Sequence, residues 1–447
     1  MDSLSNKLRE YANSGAYPFH MPGHKRQLDG AYRYDITEIN GFDNLNDPSG
    51  IIKEMNEEIA AEYGSKASFF TVGGSTCGNL SAISTVADMG DTVIVARNCH
   101  KSVFNAIYLR KLNAEYVLPS MYNSLLIGEV TLQSVKVKVK ELLSNSIRPK
   151  AVIITSPTYE GVVSDIKSIS EYLHSEEIVL IVDSAHGAHL HLDGTFPRDQ
   201  VGYADICVMS AHKTLPVLTG GAIVHVNSEL IDEKNVFRYI SMYQTSSPSY
   251  VIMESMSRAL ELMHEKPRIE GYIVNLRRFY AACKDLSHLS IEPISDKRDM
   301  GKIVIYTNGY MSGDELGRIL REQYKLETEM CMSNYVLAMT SLMDTGSAFD
   351  RLSNAIIKID GSINISSIEE MEAIPISEHT KKCEPYQVTG KCVNKPIDDC
   401  IGEVAFEAIV PYPPGIPLVM PGEVITKEDI EYIKKVDNLK ELGCYIV

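Results

Sequence analysis

A lysine a few residues after an apolar run is the residue of this sequence best suited to covalent chemistry. Lys213 ends the segment Ser210-Ala-His-Lys213, which comes after the run Ile206–Met209. An unpaired ammonium is costly to bury beside such a run. An imine with an aldehyde cofactor would remove that cost and give the amine a covalent role. Ser210 and His212 could then donate hydrogen bonds to a phosphate, whereas a lysine on a surface loop is the alternative for this segment alone.

Asp183 stands at the end of a second apolar run, Ile178–Val182. Ligands of α/β sheets bind at the carboxyl ends of the strands. A carboxylate there could keep a pyridine nitrogen protonated and so make the ring an electron sink. The alternative is an aspartate that caps a loop. A separation of 30 residues (213 − 183) leaves room for a loop, a strand and a turn, so Asp183 and Lys213 can share one edge of a sheet.

Three weaker signals accompany this pair. Gly73-Gly74-Ser75-Thr76 precedes a helical pattern, and a helix N-terminus presents free N–H groups to a phosphate. The segment has neither the Rossmann spacing nor the Walker lysine. His100, after the run Thr92–Ala96, could stack on a flat ring and assist proton transfer, although a structural histidine is equally compatible. Ala185 is small enough for a ring to lie against its loop.

Several other kinds of site and partner are disfavoured. His186, His189 and His191 could bind zinc, but no catalytic carboxylate pattern accompanies them, and we expect no metal. The nine cysteines contain no C-x-x-C pair. A net charge of −16 argues against nucleic acid as a partner. Without an N-terminal signal pattern or an apolar run of about 18 residues, we expect a cytoplasmic protein with no membrane partner.

Short apolar runs alternate with helical patterns along most of the chain. Such runs are typical of strands buried on both faces, and the alternation predicts an α/β fold with a mostly parallel sheet between helices and a small C-terminal α/β domain. The predicted strands are Thr92–Ala96, Ala151–Thr155, Ile178–Val182, Ile206–Met209, Ala222–Val226, Ile303–Tyr306 and Tyr335–Met339. The predicted helices are 3–13, 51–63, 79–88, 101–111, 133–144, 166–174, 250–264, 268–286, 313–323 and 346–358.

The same patterns divide the chain into four parts. We predict an N-terminal segment (1–50), a large cofactor-binding domain (51–290), a small α/β domain (291–376) and a C-terminal region (377–447). Within the last part, residues 377–400 are predicted to be a loop or linker and Glu403–Val410 a strand. Four prolines between Pro411 and Pro417 predict a stiff loop without helix.

Taken together, these segments resemble one family, the bacterial Orn/Lys/Arg decarboxylases, which carry pyridoxal 5′-phosphate (PLP) on the aspartate-aminotransferase fold. The resemblance spans nearly the whole chain in order. It rests on His20-Met-Pro-Gly-His-Lys25, Arg97-Asn-Cys-His-Lys-Ser102, Pro157-Thr-Tyr-Glu-Gly161, Asp183-Ser-Ala-His186, Ser210-Ala-His-Lys213, Ser246-Ser-Pro-Ser-Tyr250 and Tyr412-Pro-Pro-Gly-Ile-Pro-Leu-Val-Met-Pro-Gly-Glu423. Because the first motif begins at residue 20, the chain resembles the short members that lack the N-terminal wing domain.

The resemblance implies a role for each of these residues. Lys213 would form the Schiff base and Asp183 would pair with the pyridine nitrogen. His100 would stack on the ring, and Lys213 or His186 would return the proton after carbon dioxide leaves. The residues implied on the phosphate side are Ser75, Thr76, Ser210 and His212. Ser246 would reach the phosphate of a neighbouring subunit, which implies a homodimer.

The implied reaction is decarboxylation of lysine, ornithine or arginine to a diamine or agmatine, a polyamine precursor. Glu423, His20 and His24 are the candidates for substrate contacts, with Asp43 and Asp47 as further carboxylates for the distal cation. Three alternatives stay open. One is another PLP enzyme of this fold, such as an aminotransferase or a lyase. Another is a PLP-binding protein without catalysis, and the last is the zinc enzyme weighed above.

Overall fold

The fold is built around a mostly parallel sheet. A computed structural model of the chain describes residues 3–364, 376–411, 415–436 and 439–445. Within these ranges seven strands form the central sheet: β1 (Ala67–Thr71), β2 (Thr92–Ala96), β3 (Asn113–Val117), β4 (Ala151–Thr155), β5 (Val179–Asp183), β6 (Ile206–Met209) and β7 (Ala222–Val226). Their order is β1-β7-β6-β5-β4-β2-β3, and β7 runs opposite to both of its neighbours. The predicted α/β class with a mostly parallel sheet is confirmed.

Helices cover both faces of this sheet. Alternate residues of a strand point to opposite faces, and all five residues of β5 are buried, so both faces are shielded from water. The helices up to residue 282 are α1 (Leu4–Asn13), α2 (Ile51–Tyr63), α3 (Gly74–Val86), α4 (Lys101–Arg110), α5 (Leu132–Ser144), α6 (Ile166–Ser175), α7 (Ala211–Thr214), α8 (Glu233–Tyr243), α9 (Tyr250–Met263) and α10 (Lys266–Ala282).

A smaller antiparallel sheet follows α10. Its strands are β8 (Ser290–Ile291), β9 (Lys302–Tyr306), β10 (Met330–Cys331) and β11 (Tyr335–Met339), in the order β10-β11-β9-β8. Helices α11 (Gly313–Tyr324) and α12 (Gly346–Ser362) complete this part. The first residue of β9 is a lysine that is only 1% exposed, and this unusual placement brings the small sheet into the functional site described below.

The C-terminal region has a hydrophobic core of its own. Strands β12 (Cys392–Pro396), β13 (Val404–Ala405) and β14 (Glu441–Tyr445) form an antiparallel sheet, and α13 (Lys427–Val436) completes the unit. The prediction of a loop or linker for 377–400 was therefore wrong from Cys392 onward. That strand, Cys-Val-Asn-Lys-Pro, alternates exposed and half-buried residues and contains no apolar run. Only two residues of the predicted strand Glu403–Val410 pair in a ladder, and positions 412–414 of the proline-rich loop lie outside the described residues.

Among the elements that the sequence analysis missed, two strands of the central sheet and one helix have an identifiable reason. β1 and β3 are the edge strands of the central sheet, and each has half-buried residues that interrupt its apolar run. α8 buries only Val236 and Ile240, too few to mark a helix by periodicity. Among the helices of the described ranges, none combines the length and the apolar character needed to cross a bilayer.

Candidate active site

A cavity of about 210 Å³ opens at the carboxyl ends of the central strands. Thr155 and Asp183, the last residues of β4 and β5, are paired in the parallel register and both line it. Ser210 enters from the end of β6, and His100 from the segment after β2. The cavity therefore lies where parallel α/β sheets bind ligands.

Asp183 is held as a fixed, buried carboxylate. The residue is 1% exposed. Its Oδ2 atom accepts a hydrogen bond of 2.9 Å from the side-chain amide of Asn79 on α3, and its Oδ1 accepts one of 3.2 Å from the backbone of Ala185. Two donors thus orient the carboxylate, which is suited to pairing with a cationic N–H in the cavity.

Lys213 lies on the short helix α7 and lines the same cavity. Its Nζ atom is 3.0 Å from Nε2 of His186 and 5.5 Å from the ring centre of Tyr159. Burial lowers the pKa of Lys213, although the charges of Asp183 and Glu329 oppose this effect. The amine is therefore shifted toward its neutral form, which is the nucleophilic one.

His186 contacts a second lysine that the sequence patterns did not reveal. Nζ of Lys302, on β9, lies 2.8 Å from Nδ1 of His186. Burial is the main cause that lowers the pKa of Lys302 to about 7, and burial followed by the charge of Lys302 holds the pKa of His186 well below its usual value. The signal that could have identified Lys302 is the one used for Lys213: a lysine directly beside a buried apolar strand.

His100 is both a helix cap and a cavity residue. It is the N-cap of α4, where its Nδ1 accepts a hydrogen bond from the backbone N–H of Ser102 at 3.2 Å. Burial lowers the pKa of His100, with Asp183 opposing and Lys213 reinforcing the shift. The imidazole is thus oriented by the helix start and favoured in its neutral form, as a ring that stacks on a flat ligand would be.

The residues expected at the phosphate meet at one end of the cavity. Ser75 and Thr76 belong to the first turn of α3, and Oγ of Ser210 donates to Oγ of Ser75 at 2.7 Å. His212 places its Nδ1 2.9 Å from the carbonyl oxygen of Gly221, and all four residues line the cavity. Hydroxyl groups at the start of a helix of 13 residues make an anion site.

The cavity fits PLP. It offers an amine for the aldehyde, a buried carboxylate for the ring nitrogen, and a helix start with hydroxyls for the phosphate. Three buried polar atoms on its wall, Oδ1 of Asn98, Oγ1 of Thr155 and Oε2 of Glu160, have no hydrogen-bond partner within the described part of the chain. Buried polar atoms are normally paired, so these three indicate a polar ligand. Ala185 also lines the wall, as expected for contact with a flat ring.

The structure does not bring the three substrate candidates into this cavity. The carboxylate of Glu423 is only 1% exposed and accepts hydrogen bonds from Arg97 at 2.9 Å and from the backbone of Met420 at 2.7 Å. The carboxylate of Glu423 is thus already paired with Arg97 within the chain. His24 pairs with Asp35 at 3.1 Å, and His20 lies 3.2 Å from the hydroxyl of Tyr11; neither histidine lines the cavity.

Three other candidates also lie apart from the cavity lining. The Asp43 carboxylate accepts backbone hydrogen bonds from Gly50 at 2.7 Å and Ile52 at 3.0 Å, so it organises the loop before α2. Asp47 and Ser246 are exposed and do not line the cavity. A contact of Ser246 with a neighbouring subunit stays a prediction.

The three clustered histidines have separate partners. His186 lies between two lysines, whereas Nε2 of His189 is 3.1 Å from Asp299 and Nε2 of His191 is 3.2 Å from Glu62. In the ranges that the structure describes, no group of three or more histidine, cysteine or acidic side chains is arranged to hold a metal ion.

Sequence reasoning also missed wall residues that come from loops. Tyr159 and Glu160 line the cavity, and Ile416 reaches it from the C-terminal region. Ile416 is brought there because Arg97, directly after β2, donates to the carbonyl oxygens of Pro417 at 2.7 Å and Leu418 at 2.9 Å. Tyr159 and Glu160 lie in a segment that carries the family resemblance, which was the available signal.

Comparison with known proteins identifies the family of this chain. Residues 3–290 match the family model described as "Orn/Lys/Arg decarboxylase, major domain", and residues 370–442 match "Orn/Lys/Arg decarboxylase, C-terminal domain". The chain is 33% identical to the uncharacterized protein YaaO of Bacillus subtilis, with 98% of this chain and 94% of that protein covered. It is 30% identical to an arginine decarboxylase of Bacillus anthracis, with 97% and 92% covered.

Solved structures show the same fold. The lysine decarboxylase LdcF of Francisella novicida superposes with a TM-score of 0.86 at 18% identity, over 100% of this chain and 81% of that chain. Aminotransferases follow at a TM-score of 0.56. With its fold, its cavity and the family model over 3–290 in agreement, the chain belongs to the Orn/Lys/Arg decarboxylase family of PLP-dependent amino-acid decarboxylases.

Proposed function

We propose that this protein removes the α-carboxylate of a basic amino acid (lysine, ornithine or arginine) with PLP held on Lys213, and releases a diamine or agmatine. The observation that carries the proposal is the meeting of a half-buried lysine amine and a buried, doubly hydrogen-bonded carboxylate in one cavity. Bound PLP would supply an aldehyde for amines and a ring that takes up the electrons of the broken bond.

The chain's own residues would support this chemistry in separate ways. Asp183, fixed by Asn79, would keep a proton on the ring nitrogen. Lys213, favoured as a neutral amine, could accept or return a proton at its Nζ atom. His186, 3.0 Å away, would orient that amine. His100, at the start of α4, would stack against the face of the ring.

Glu160 is a candidate for the contact with the distal cation of the substrate. It lines the cavity and is 1% exposed; its Oε1 accepts a 2.7 Å hydrogen bond from Tyr335, and its Oε2 has no hydrogen-bond partner among the described residues. Burial raises the pKa of Glu160 while the Tyr335 hydroxyl opposes the shift. A substrate ammonium or guanidinium would pair with the free oxygen and stabilise the ionised form.

The homodimer expected from the resemblance is part of this proposal. Ser246 is exposed in the single chain, and Phe19, near the start of the chain, is 90% exposed. A second subunit that covers the side chain of Phe19 and contacts Ser246 would explain why both residues are exposed in the single chain. Sedimentation of the purified protein as a monomer would contradict the dimer.

The decisive experiment measures carbon dioxide release from lysine, ornithine and arginine in parallel. We expect release from at least one of them, and loss of it in Lys213→Ala. A matched control is Lys297→Ala, because the side chain of Lys297 is 64% exposed and lies outside the cavity lining. Conversion to a keto acid without carbon dioxide would favour an aminotransferase instead. A bound cofactor with no turnover of any of the three would favour a protein that binds PLP without catalysis.

A further inference from the structure

Three nitrogen-bearing side chains form a line that leads away from the cavity. Nζ of Lys213 is 3.0 Å from Nε2 of His186, and Nδ1 of the same ring is 2.8 Å from Nζ of Lys302. His186 is 3% exposed and Lys302 is 1% exposed. The side chain of Lys302 passes Gly161, where a Cβ atom would lie 2.9 Å from Cγ of Lys302, so the backbone leaves room for this lysine.

A neutral imidazole restricts the protonation of its two neighbours. It carries one N–H, so it donates to one lysine and accepts from the other. Burial and the two lysines together favour the neutral form of His186. The lysine that accepts from the N–H of the ring must then be a neutral amine, and the other lysine donates to the unprotonated ring nitrogen, as an ammonium or as an amine.

We propose that Lys302 is a positioning residue that acts through His186: its ammonium fixes the ring so that Nε2–H donates to Lys213, and it stores the proton that Lys213 gives up. The transfer is balanced. When Lys302 gives a proton to Nδ1, Nε2 gives its proton to Lys213, and the ring returns to a neutral state as the other tautomer. The reverse transfer restores the amine at Lys213, with no change in total charge.

The surroundings of Lys302 suit a proton store. Burial is the main effect that disfavours the ammonium of Lys302, and Lys213 adds to it, whereas Asp299, in the loop before β9, favours the ammonium most, with smaller contributions from Glu329 and Glu160. Asp299 is itself paired with His189 at 3.1 Å. These opposing effects leave the pKa of Lys302 at about 7, so that both protonation states are accessible near neutral pH.

The inference deepens the proposed function, because it assigns a supporting residue to the same amine. It is tested on the full chain freed of cofactor, so its outcome does not depend on turnover. Acetic anhydride acetylates only neutral amines, and mass spectrometry gives the acetylation rate of Lys213 between pH 6 and pH 10. The midpoint of that profile reports the protonation of Lys213.

In Lys302→Met, the competing cation is gone and Lys213 retains its proton to higher pH. We expect its midpoint to rise by about one pH unit, which is about tenfold slower acetylation at neutral pH. Lys302→Arg keeps a cation and should leave the midpoint low. Lys297→Met, at an exposed position, should change nothing. Circular dichroism spectra that match the unsubstituted protein establish that each variant is folded.

The route through the imidazole is tested in a His186→Phe background. There, Lys302→Met should have no further effect on Lys213, because the ring that connects the two amines is missing. The proposal is overturned if Lys302→Met leaves the midpoint unchanged. It is also overturned if the same shift persists in the His186→Phe background, since the two lysines would then interact only through space.

Discussion

Burial in the cavity favours the neutral forms of its basic residues. Lys213, His186 and His100 all have lowered pKa values, with removal from water as the main cause in each. Glu160, the acidic residue at the same wall, has a raised pKa for the same reason. Burial therefore disfavours the charged form of each of these four side chains, and an opposite charge on a ligand would offset that effect.

Substitution of Glu160 should separate the recognition of the distal cation from the chemistry. In Glu160→Gln the charge-assisted bond is lost, and bonds of that kind contribute roughly 1.5–3 kcal/mol. We expect KM for the preferred basic amino acid to rise about 10- to 100-fold with a smaller change in kcat. Steady-state kinetics on purified protein measure both constants.

The chain offers a matched control for this substitution. Glu292 also accepts a 2.7 Å hydrogen bond from a tyrosine, Tyr306, but it does not line the cavity. Glu292→Gln should leave KM unchanged. Equal effects of the two substitutions would mean that Glu160 acts only through the packing of the small sheet.

At the scale of elements, α3 determines how the phosphate end and Asp183 are arranged. Its first turn supplies Ser75 and Thr76, and its second supplies Asn79, which holds the carboxylate. The helix can lie this close to the sheet because Gly78 faces β6 and β7. A Cβ atom at that position would lie 2.5 Å from Cγ1 of Val208 and 3.1 Å from Cγ2 of Val224.

Two glycine-to-alanine substitutions within helices should therefore have opposite signs. Gly78→Ala must displace α3 or the sheet, and overpacking of this kind costs about 1–3 kcal/mol. Gly271, within α10, has no atom within 4 Å of an added Cβ, so Gly271→Ala should stabilise by about 0.4–1 kcal/mol through lower backbone entropy of the unfolded chain. Urea unfolding followed by circular dichroism measures both. Stabilisation by Gly78→Ala would contradict the close approach.

At the scale of the whole molecule, the C-terminal region is fastened to the central sheet by a buried ion pair. Arg97 and Glu423 have side chains that are each 2% exposed, and their atoms Nη2 and Oε2 are 2.9 Å apart. Arg97 also holds the backbone at Pro417 and Leu418. This link places Ile416 on the cavity wall, so a region with its own core completes the site.

Removal of one partner of this pair should be more damaging than removal of both. Arg97→Met leaves the buried carboxylate without its guanidinium partner, with His379 at 3.9 Å still beside it, and loss of one partner of a buried pair costs about 3–5 kcal/mol. The double variant Arg97→Met with Glu423→Leu removes both charges and should regain most of that loss. Urea unfolding measures the stability, and hydrogen exchange of the segment 415–423 shows whether it has detached. If the double variant were as unstable as the single one, the ion pair would not be what holds the C-terminal region against the central sheet.

The sequence alone determined which two residues meet at the strand ends. Asp183 ends one buried strand and Lys213 follows the next, and parallel strands bring their carboxyl ends to one edge, so local patterns were enough to predict that both residues line one cavity. Apolar runs likewise predicted the inner strands, because such strands are buried on both faces. The edge strands β1 and β3 carry no such pattern, and they became visible only when they were paired with neighbours.

Only the tertiary structure decided which other polar residues contact that site and which do not. Lys302 is 89 residues from Lys213 along the chain (302 − 213), and no periodicity connects a small-sheet strand to a histidine after β5. The sequence left the position of Glu423 undecided for the same reason. A carboxylate after a proline-rich loop can face a substrate or an arginine. In the structure, the long-range contact with Arg97 determines where the Glu423 carboxylate lies. Sequence patterns report burial along one element, whereas contacts between distant elements depend on how those elements pack.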